Sequence, residues 1–233
     1  MSDLESAVDV DTSVDEGAPG ARKPDARQPT ILHFVRDIPN AITLVSLCCG
    51  VLGIYFAILK NFSAAMIAIL WAVLFDWYDG PVAKRMSGRS AAMKLFGGRL
   101  DSLADIVSMA VFPAVVLLSY GDFGGWYLPG ACWMVMAGAV RLAYFDMFGV
   151  DSDGSITGLS LDIAPLLIAL LFLLGRFLGP EVFAVVLYGT VLLLGFLHVA
   201  PFRMRKMVGG WYCVITVYVA GLSVAHGWLL LTQ

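Results

Sequence analysis

Residues 76–105 read DWYDGPVAKRMSGRSAAMKLFGGRLDSLAD and link two long apolar segments of the chain. Asp76 and Asp79 lie near the end of the first segment, and Asp101 and Asp105 lie near the start of the second. Residues three or four positions apart project from the same side of an α-helix. The stretch therefore predicts two helices that each present a pair of carboxylates on one face.

Apolar residues dominate the whole chain. Its 233 residues are 59% apolar and only 14% charged, with a mean hydropathy of +0.82. Soluble domains carry roughly 45–50% apolar and about 25% charged residues, so a water-soluble globular protein is excluded. The net charge of −3 leaves no basic surface for a phosphate backbone, and we expect no nucleic-acid partner.

Seven apolar runs are long enough to cross a bilayer as helices, which takes about 20 residues each. They lie at residues 39–59, 63–84, 97–119, 126–147, 158–178, 181–200 and 210–231. We predict an all-α integral membrane protein, a bundle of about seven transmembrane helices.

The chain around these runs divides into four predicted regions. Residues 1–27 contain seven acidic residues and almost no large apolar side chains, which predicts a disordered acidic cytoplasmic tail. Residues 28–38 place apolar side chains on one helical face, which predicts an amphipathic helix at the membrane interface. Residues 39–206 are predicted to form the main membrane domain, and residues 207–233 an extra C-terminal transmembrane helix.

The lysines and arginines predict the orientation, because cytoplasmic loops of membrane proteins are enriched in them. With the N-terminus inside, 13 of the 15 basic residues fall on the cytoplasmic side, and only Lys60 and Arg176 fall outside. We therefore expect a multi-pass cell-membrane protein with its N-terminus and its four aspartates at the cytoplasmic face. Its C-terminus is expected on the extracytoplasmic side.

The four aspartates are candidates for function, because a charged side chain in a membrane helix costs about 2.5–3.5 kcal/mol to insert. Four carboxylates facing one cleft cannot all stay ionised without cations, so either protonation or a divalent metal must relieve them. Oxygen ligands suit Mg²⁺ or Mn²⁺. The basic residues between the two aspartate pairs fit a phosphate-bearing substrate, although a cytoplasmic loop is basic in any case.

Residues 76–105 resemble the signature of the CDP-alcohol phosphotransferase (CDP-alcohol phosphatidyltransferase) family, D-x2-DG-x2-AR-x8-G-x3-D-x3-D. Upstream, IPNAITL is similar to the PN-x2-T start of the family's first span. Downstream, LDSLADIVSMAVFPAV, RLAYF and ITGL look like its phosphatidylserine synthase branch. The resemblance covers roughly residues 36–206. The residues that match the signature are Asp76, Asp79, Gly80, Ala83, Gly97, Asp101 and Asp105.

This resemblance implies a six-helix core with one added helix and an enzyme that depends on two Mg²⁺ or Mn²⁺ ions. The enzyme would move a phosphatidyl group from CDP-diacylglycerol to a small polar alcohol and release CMP. L-serine is the favoured acceptor; inositol phosphate, glycerol phosphate and another amino alcohol remain alternatives. Homodimers are common in this family, so the resemblance also suggests a homodimer.

The resemblance further implies a role for individual residues. Asp76, Asp79 and Asp101 would be metal ligands, and Asp105 would complete the second metal site and act as general base. The residues at positions that contact the CDP-lipid are Asn40, Thr43, Gly80, Lys84 and Ser90. Arg141 would bind the carboxylate of the acceptor or, alternatively, anchor the helix at the headgroups.

The chain departs from the family pattern in three places. Lys84 replaces an arginine, so a bidentate phosphate contact becomes a point charge. About four residues are inserted after Ser90, relative to the family. RLAYFD and GLSLD replace RLARFN and GLP-x-P, which makes Tyr144, Asp146 and Asp162 unexpected residues.

Two other classes of protein also place carboxylates in membrane helices. A cation-coupled transporter is disfavoured because the four aspartates cluster at one membrane face and no pair of broken spans repeats in the two halves. An intramembrane prenyltransferase uses aspartate-rich helices with magnesium, but it would not need the DG-x2-A continuation found after Asp79.

Overall fold

The computed structural model describes residues 30–205, 207 and 209–232, and these are almost entirely helical. The predicted tail at residues 1–27 lies outside the described residues. The helices are α1 (Ile31–Val35), α2 (Ile38–Ile58), α3 (Phe62–Arg85), α4 (Ala91–Asp105), α5 (Phe112–Tyr120), α6 (Leu128–Phe148), α7 (Ile163–Leu174), α8 (Pro180–Val199) and α9 (Trp211–Leu231). Two three-residue strands, β1 (Ser155–Thr157) and β2 (Arg203–Arg205), pair antiparallel.

Six helical segments of the described chain are long and apolar enough to cross a membrane, which confirms an all-α membrane protein. They are Ile38–Ile58, Phe62–Arg85, Ala91–Tyr120, Gly125–Phe148, Pro180–Val199 and Trp211–Leu231. Their positions agree with six of the predicted runs. The third segment begins six residues earlier than predicted, because Ser90 caps α4 by accepting a hydrogen bond from the Met93 amide at 3.1 Å.

The fifth predicted run, residues 158–178, forms a shorter helix than expected. Its α-helix begins only at Ile163 and continues through a 3₁₀ turn to Phe177, about 22 Å at 1.5 Å per residue. The preceding residues pair with the chain beyond α8 instead, since Gly158 donates its amide hydrogen to Phe202 O at 2.8 Å. Gly158 has φ +74°, and a Cβ there would overlap the carbonyl oxygen of His198, so only glycine fits this approach.

The region predicted as an interfacial helix, residues 28–38, contains a helix of five residues, α1. Ile31 and Leu32 on it are exposed, as an interfacial helix requires. The helix is short because α2 already begins at Ile38, with Pro39 in its first turn. Its location at the membrane interface stays a prediction.

Helix α3 packs against α2, α7 and α9, while α6 packs against α8. Small and medium apolar side chains of α3 are fully buried, among them Ala65, Met66 and Ile69. Across the α2–α3 contact, Ser46 donates its hydroxyl hydrogen to Ala72 O at 2.8 Å. The aspartates at the end of α3 are therefore attached to a helix that packs against three others.

A π-helical segment, Ile106–Val111, follows Asp105 directly and connects α4 to α5. Pro113 has no amide hydrogen, so the regular α-helical bond to Met109 O cannot form there, and the wider π winding accommodates this loss. Gly50 of α2 contacts the segment closely, because a Cβ at Gly50 would overlap Ser108 Oγ. Single-turn π segments occur frequently at functional sites.

Candidate active site

Three of the four predicted aspartates converge where α3 meets α4. Asp76, Asp101 and Asp105 each offer one carboxylate oxygen, and these oxygens all lie within 4.8 Å of one another. Asp105 Oδ1 is buried and makes no hydrogen bond. Among the described residues, no lysine or arginine forms an ion pair with Asp76 or Asp105. Close, partly buried carboxylates are suited to a divalent metal ion, so the residues present fit such a group.

Asp79 lies beside this group of three but has a different environment. Its Oδ2 accepts a hydrogen bond of 2.5 Å from the hydroxyl of Thr43 on α2. Asp79 and Asp101 also interact with each other, so all four carboxylates belong to one site. The helical spacing read from the sequence correctly predicted this common location.

A cavity of about 200 Å³ opens beside Asp79 and Asp101. Polar, basic and glycine residues from α2, α3, α4 and the α3–α4 loop line it: Asn40, Thr43, Asp79, Gly80, Arg89, Lys94, Gly97, Gly98 and Asp101, together with Pro39 and Ala83. Gly97 allows the walls to approach, because a Cβ there would lie 2.7 Å from Asn40 Oδ1. The cavity thus combines carboxylates with two basic side chains, which suits a charged phosphate ligand.

The five residues predicted to contact a CDP-lipid divide into two groups. Asn40, Thr43 and Gly80 line the cavity. Lys84 is exposed outside its lining, and Ser90 is exposed at the N-cap of α4. Contact of the last two with a nucleotide stays a prediction.

A buried ion pair beside the cavity was not predicted from the sequence. Arg89 donates to Asp37 Oδ2 from Nε at 2.8 Å and from Nη2 at 2.5 Å, and Nη2 also lies 3.3 Å from Asn40 Oδ1. The side chains of Arg89 and Asp37 are only 7% and 3% exposed. The pair fastens the α3–α4 loop to the start of α2, and nothing in the local sequence signals a contact across 52 positions.

Arg141 on α6 is buried, with 7% of its surface exposed, so it does not extend to the headgroups in this structure. Its Nε donates to Leu159 O at 3.2 Å, and its guanidinium carbon lies 4.9 Å from the centre of the Phe145 ring. Arg141 also interacts electrostatically with Asp105. This position is compatible with acceptor binding, which stays a prediction.

The three unexpected residues have different surroundings. Tyr144 is exposed and packs on Phe148, with ring centres 4.6 Å apart. Asp146 accepts a hydrogen bond of 2.8 Å from the Ser102 hydroxyl. Asp162 is buried at the start of α7, and its Oδ2 accepts a hydrogen bond of 2.7 Å from the Trp77 indole.

Comparison with known proteins gives a family match over most of the chain. The family model described as CDP-alcohol phosphatidyltransferase matches residues 36–219. An archaetidylserine synthase of Methanothermobacter thermautotrophicus is 32% identical over 139 residues, which cover 59% of this chain and 58% of that protein. A CDP-diacylglycerol–serine O-phosphatidyltransferase of Helicobacter pylori is 32% identical over 171 residues, covering 71% of this chain and 70% of its own length. The corresponding enzyme of Mycobacterium tuberculosis is 38% identical over 95 residues, 41% of this chain but only 31% of that protein.

Proposed function

The chain belongs to the CDP-alcohol phosphatidyltransferase family, and we propose that it transfers a phosphatidyl group from CDP-diacylglycerol to L-serine with release of CMP. One structural observation carries this proposal: the carboxylates of Asp76, Asp101 and Asp105 converge beside a cavity that is lined by Arg89 and Lys94. The choice of serine is supported by the names of the bacterial relatives.

We infer that the site takes two divalent ions, Mg²⁺ or Mn²⁺. Asp76, Asp79 and Asp101 would be ligands, and Asp105 would complete the second set. When bound, such ions neutralise diphosphate oxygens and make the phosphorus more electrophilic. The family is generally dependent on divalent metals, and the group of three close carboxylates supports the inference.

The cavity is proposed to hold the CDP part of the donor, with the acyl chains in the bilayer. Asn40 and Thr43 offer polar groups to the nucleotide, and Gly80 leaves its backbone accessible because no side chain covers it. Lys94 contributes positive charge next to the diphosphate, whereas the charge of Arg89 is balanced by its ion pair with Asp37. Lys84 and Ser90 are proposed to contact the same moiety from the mouth of the cavity.

Asp105 is proposed to remove the proton from the acceptor hydroxyl, a role that requires hydrogen-bond reach between the two groups. The serine oxygen then forms a bond to the phosphorus that carries the diacylglycerol. The bond from that phosphorus to the CMP oxygen breaks, and CMP leaves with the bonding electron pair. Arg141 is proposed to hold the carboxylate of serine, close enough to Asp105 to interact with it.

The orientation of the protein in the membrane is part of the proposal. The distribution of basic residues supports a cytoplasmic N-terminus and active site and an extracytoplasmic C-terminus. A cytoplasmic site would give access to water-soluble serine and would release CMP into the cytoplasm. The homodimer is carried over from the family resemblance alone.

The decisive experiment measures CMP release by the purified protein from CDP-diacylglycerol and Mn²⁺, with L-serine, glycerol 3-phosphate, inositol 1-phosphate or ethanolamine as acceptor. We expect release with serine, loss of release in excess EDTA, and recovery when Mn²⁺ or Mg²⁺ is restored. An Asp122→Asn variant is a suitable control, because this exposed aspartate pairs with Lys60 in a loop outside the site. Activity that persists after exhaustive chelation, or turnover with another acceptor but not with serine, would contradict the proposal.

A further inference from the structure

We propose that Asp162 binds the ammonium group of the acceptor and thereby selects a hydroxy amino acid over acceptors that carry only negative charge. This inference rests on the proposed function, because it concerns the acceptor of the same reaction. It adds a specificity-determining residue at a position where the family pattern does not predict an aspartate.

Asp162 is buried with one carboxylate oxygen unsatisfied. Only 8% of the residue is exposed, Oδ2 accepts from Trp77, and Oδ1 makes no hydrogen bond. An aspartate at a helix start usually caps the helix, but the Asp162 side chain makes no capping hydrogen bond to α7. A buried carboxylate oxygen without a hydrogen-bond donor is costly. Helix capping therefore does not explain why an aspartate occupies position 162.

Two other polar side chains lie around Asp162. Arg141 Nε and His198 Nδ1 both contact Leu159 O, at 3.2 and 3.1 Å. A carbonyl oxygen only accepts, so His198 carries its hydrogen on Nδ1, and Nε2 of the neutral ring is an acceptor. His198 Nε2 is buried and makes no hydrogen bond, with only 1% of the residue exposed. Asp162 Oδ1 and His198 Nε2 are thus two unsatisfied acceptors in one neighbourhood.

Arg141 and Asp162 carry opposite charges and interact electrostatically, yet in the described part of the chain they form no ion pair. Leu159 O occupies only the Nε–H of Arg141, which leaves four further N–H groups on the guanidinium. Asp105, the proposed base, interacts with both residues. A cation, an anion and a base therefore surround one region, and none of the three residues lines the 200 Å³ cavity.

Serine has three polar groups that match this arrangement. Its carboxylate pairs with Arg141, its ammonium donates to Asp162 Oδ1, and its hydroxyl faces Asp105. A phosphate-bearing alcohol has no ammonium and would bring a second negative charge next to a buried carboxylate, which is unfavourable. An acceptor that lacks only the amine, such as 3-hydroxypropionate, loses the Asp162 contact alone.

The first test needs no variant. We expect the wild-type protein to prefer L-serine over 3-hydroxypropionate by at least about tenfold in kcat/KM, since a hydrogen bond between charged groups contributes roughly 1.5–3 kcal/mol. Equal use of the two acceptors would overturn the inference while leaving the phosphatidyl transfer intact.

The second test is the Asp162→Asn variant, which keeps an acceptor for the Trp77 indole but removes the charge. We expect the KM for serine to rise by roughly 10- to 100-fold, with the KM for CDP-diacylglycerol and for 3-hydroxypropionate unchanged. Asp146→Asn is the matched control, because this second unexpected aspartate hydrogen-bonds Ser102, and it should keep the wild-type preference for serine.

Trp77→Phe tests whether Asp162 has only a structural role. This variant removes the hydrogen bond to Asp162 Oδ2 and should retain the preference for serine. An unchanged serine KM in Asp162→Asn, or the same loss of preference in Trp77→Phe, would overturn the inference.

A binding measurement separates this inference from the proposed function. If the wild-type protein releases CMP with no acceptor, the proposed transfer fails, and calorimetry with L-serine alone then decides the role of Asp162. Serine binding that Asp162→Asn weakens at least tenfold supports the role, and equal binding by both proteins, or none by either, overturns it.

Discussion

Asp105 differs from the other aspartates because two roles are proposed for it, metal ligand and general base. As the last residue of α4 it offers one oxygen to the group of three carboxylates, and its Oδ1 is buried without a hydrogen bond. The carboxylate therefore suits both a metal ligand and a base that receives the acceptor proton. These roles predict different responses to substitution.

We expect Asp105→Asn to lower kcat by about 10²–10⁴-fold even at saturating Mn²⁺, because an amide cannot accept the proton at neutral pH. Binding of the CDP-lipid should persist. Asp101→Asn is the comparison: as a ligand only, it should recover much of its activity when the Mn²⁺ concentration is raised. CMP release across a Mn²⁺ titration measures both, and recovery of Asp105→Asn to near wild-type turnover would assign it as a ligand alone.

The ion pair between Asp37 and Arg89 predicts a stability effect at the same scale. Removing one partner of a buried pair leaves an uncompensated charge, which costs about 3–5 kcal/mol. Asp37→Asn should therefore lower the thermal unfolding temperature in detergent, and Asp37→Asn with Arg89→Gln should lower it less. Asp122→Asn breaks the exposed pair with Lys60 and should cost no more than about 1 kcal/mol. Equal decreases in unfolding temperature for Asp37→Asn and Asp122→Asn would show that burial of the Asp37–Arg89 pair contributes nothing to stability.

At the scale of elements, the sequence predicted the helices well and their local irregularities poorly. Seven apolar runs indicated the spans by their length, and the spacing of Asp76, Asp79, Asp101 and Asp105 indicated one shared site, because both signals lie within single helices. The β1–β2 pairing depends on a contact between residues almost 50 positions apart, and no local pattern signals it. For the same reason the sequence did not predict that residues 158–162 lie before α7 and are not helical.

The approach of α2 to the π segment can be tested through Gly50. A Cβ at this position would overlap Ser108 Oγ and lie 3.0 Å from Ser108 Cβ, so Gly50→Ala should force the elements apart and cost about 1–3 kcal/mol. Gly221→Ala on α9 is the matched control, since a Cβ there meets nothing within 4 Å. Thermal unfolding of both variants measures the effect. A Gly50→Ala protein as stable as Gly221→Ala would mean that α2 does not need this close approach.

At the scale of the whole molecule, the number of membrane crossings depends on α7, which is shorter than a bilayer core of about 30 Å. The pairing of Ile156 with Met204 holds the chain before α7 and the chain after α8 at one face. Helix α8 has 20 residues, about 30 Å, so Pro180 at its start lies a bilayer thickness away from that face. We therefore predict that the residues between Thr157 and Pro180 cross the membrane, with α7 and its flanking turns together covering the distance.

In the proposed orientation the basic residues favour a cytoplasmic N-terminus, and seven crossings would put the two ends of the chain on opposite sides. A reporter fused after Gln233 should accordingly be active only where it requires the extracytoplasmic side, and the same reporter fused before Met1 should give the opposite signal. A third fusion within the connection after Phe177 separates the two explanations of any failure. An extracytoplasmic signal there together with a cytoplasmic C-terminus would mean that α9 does not span the membrane. A cytoplasmic signal after Phe177 would instead mean that α7 does not cross the membrane, and the β1–β2 pairing could then not persist.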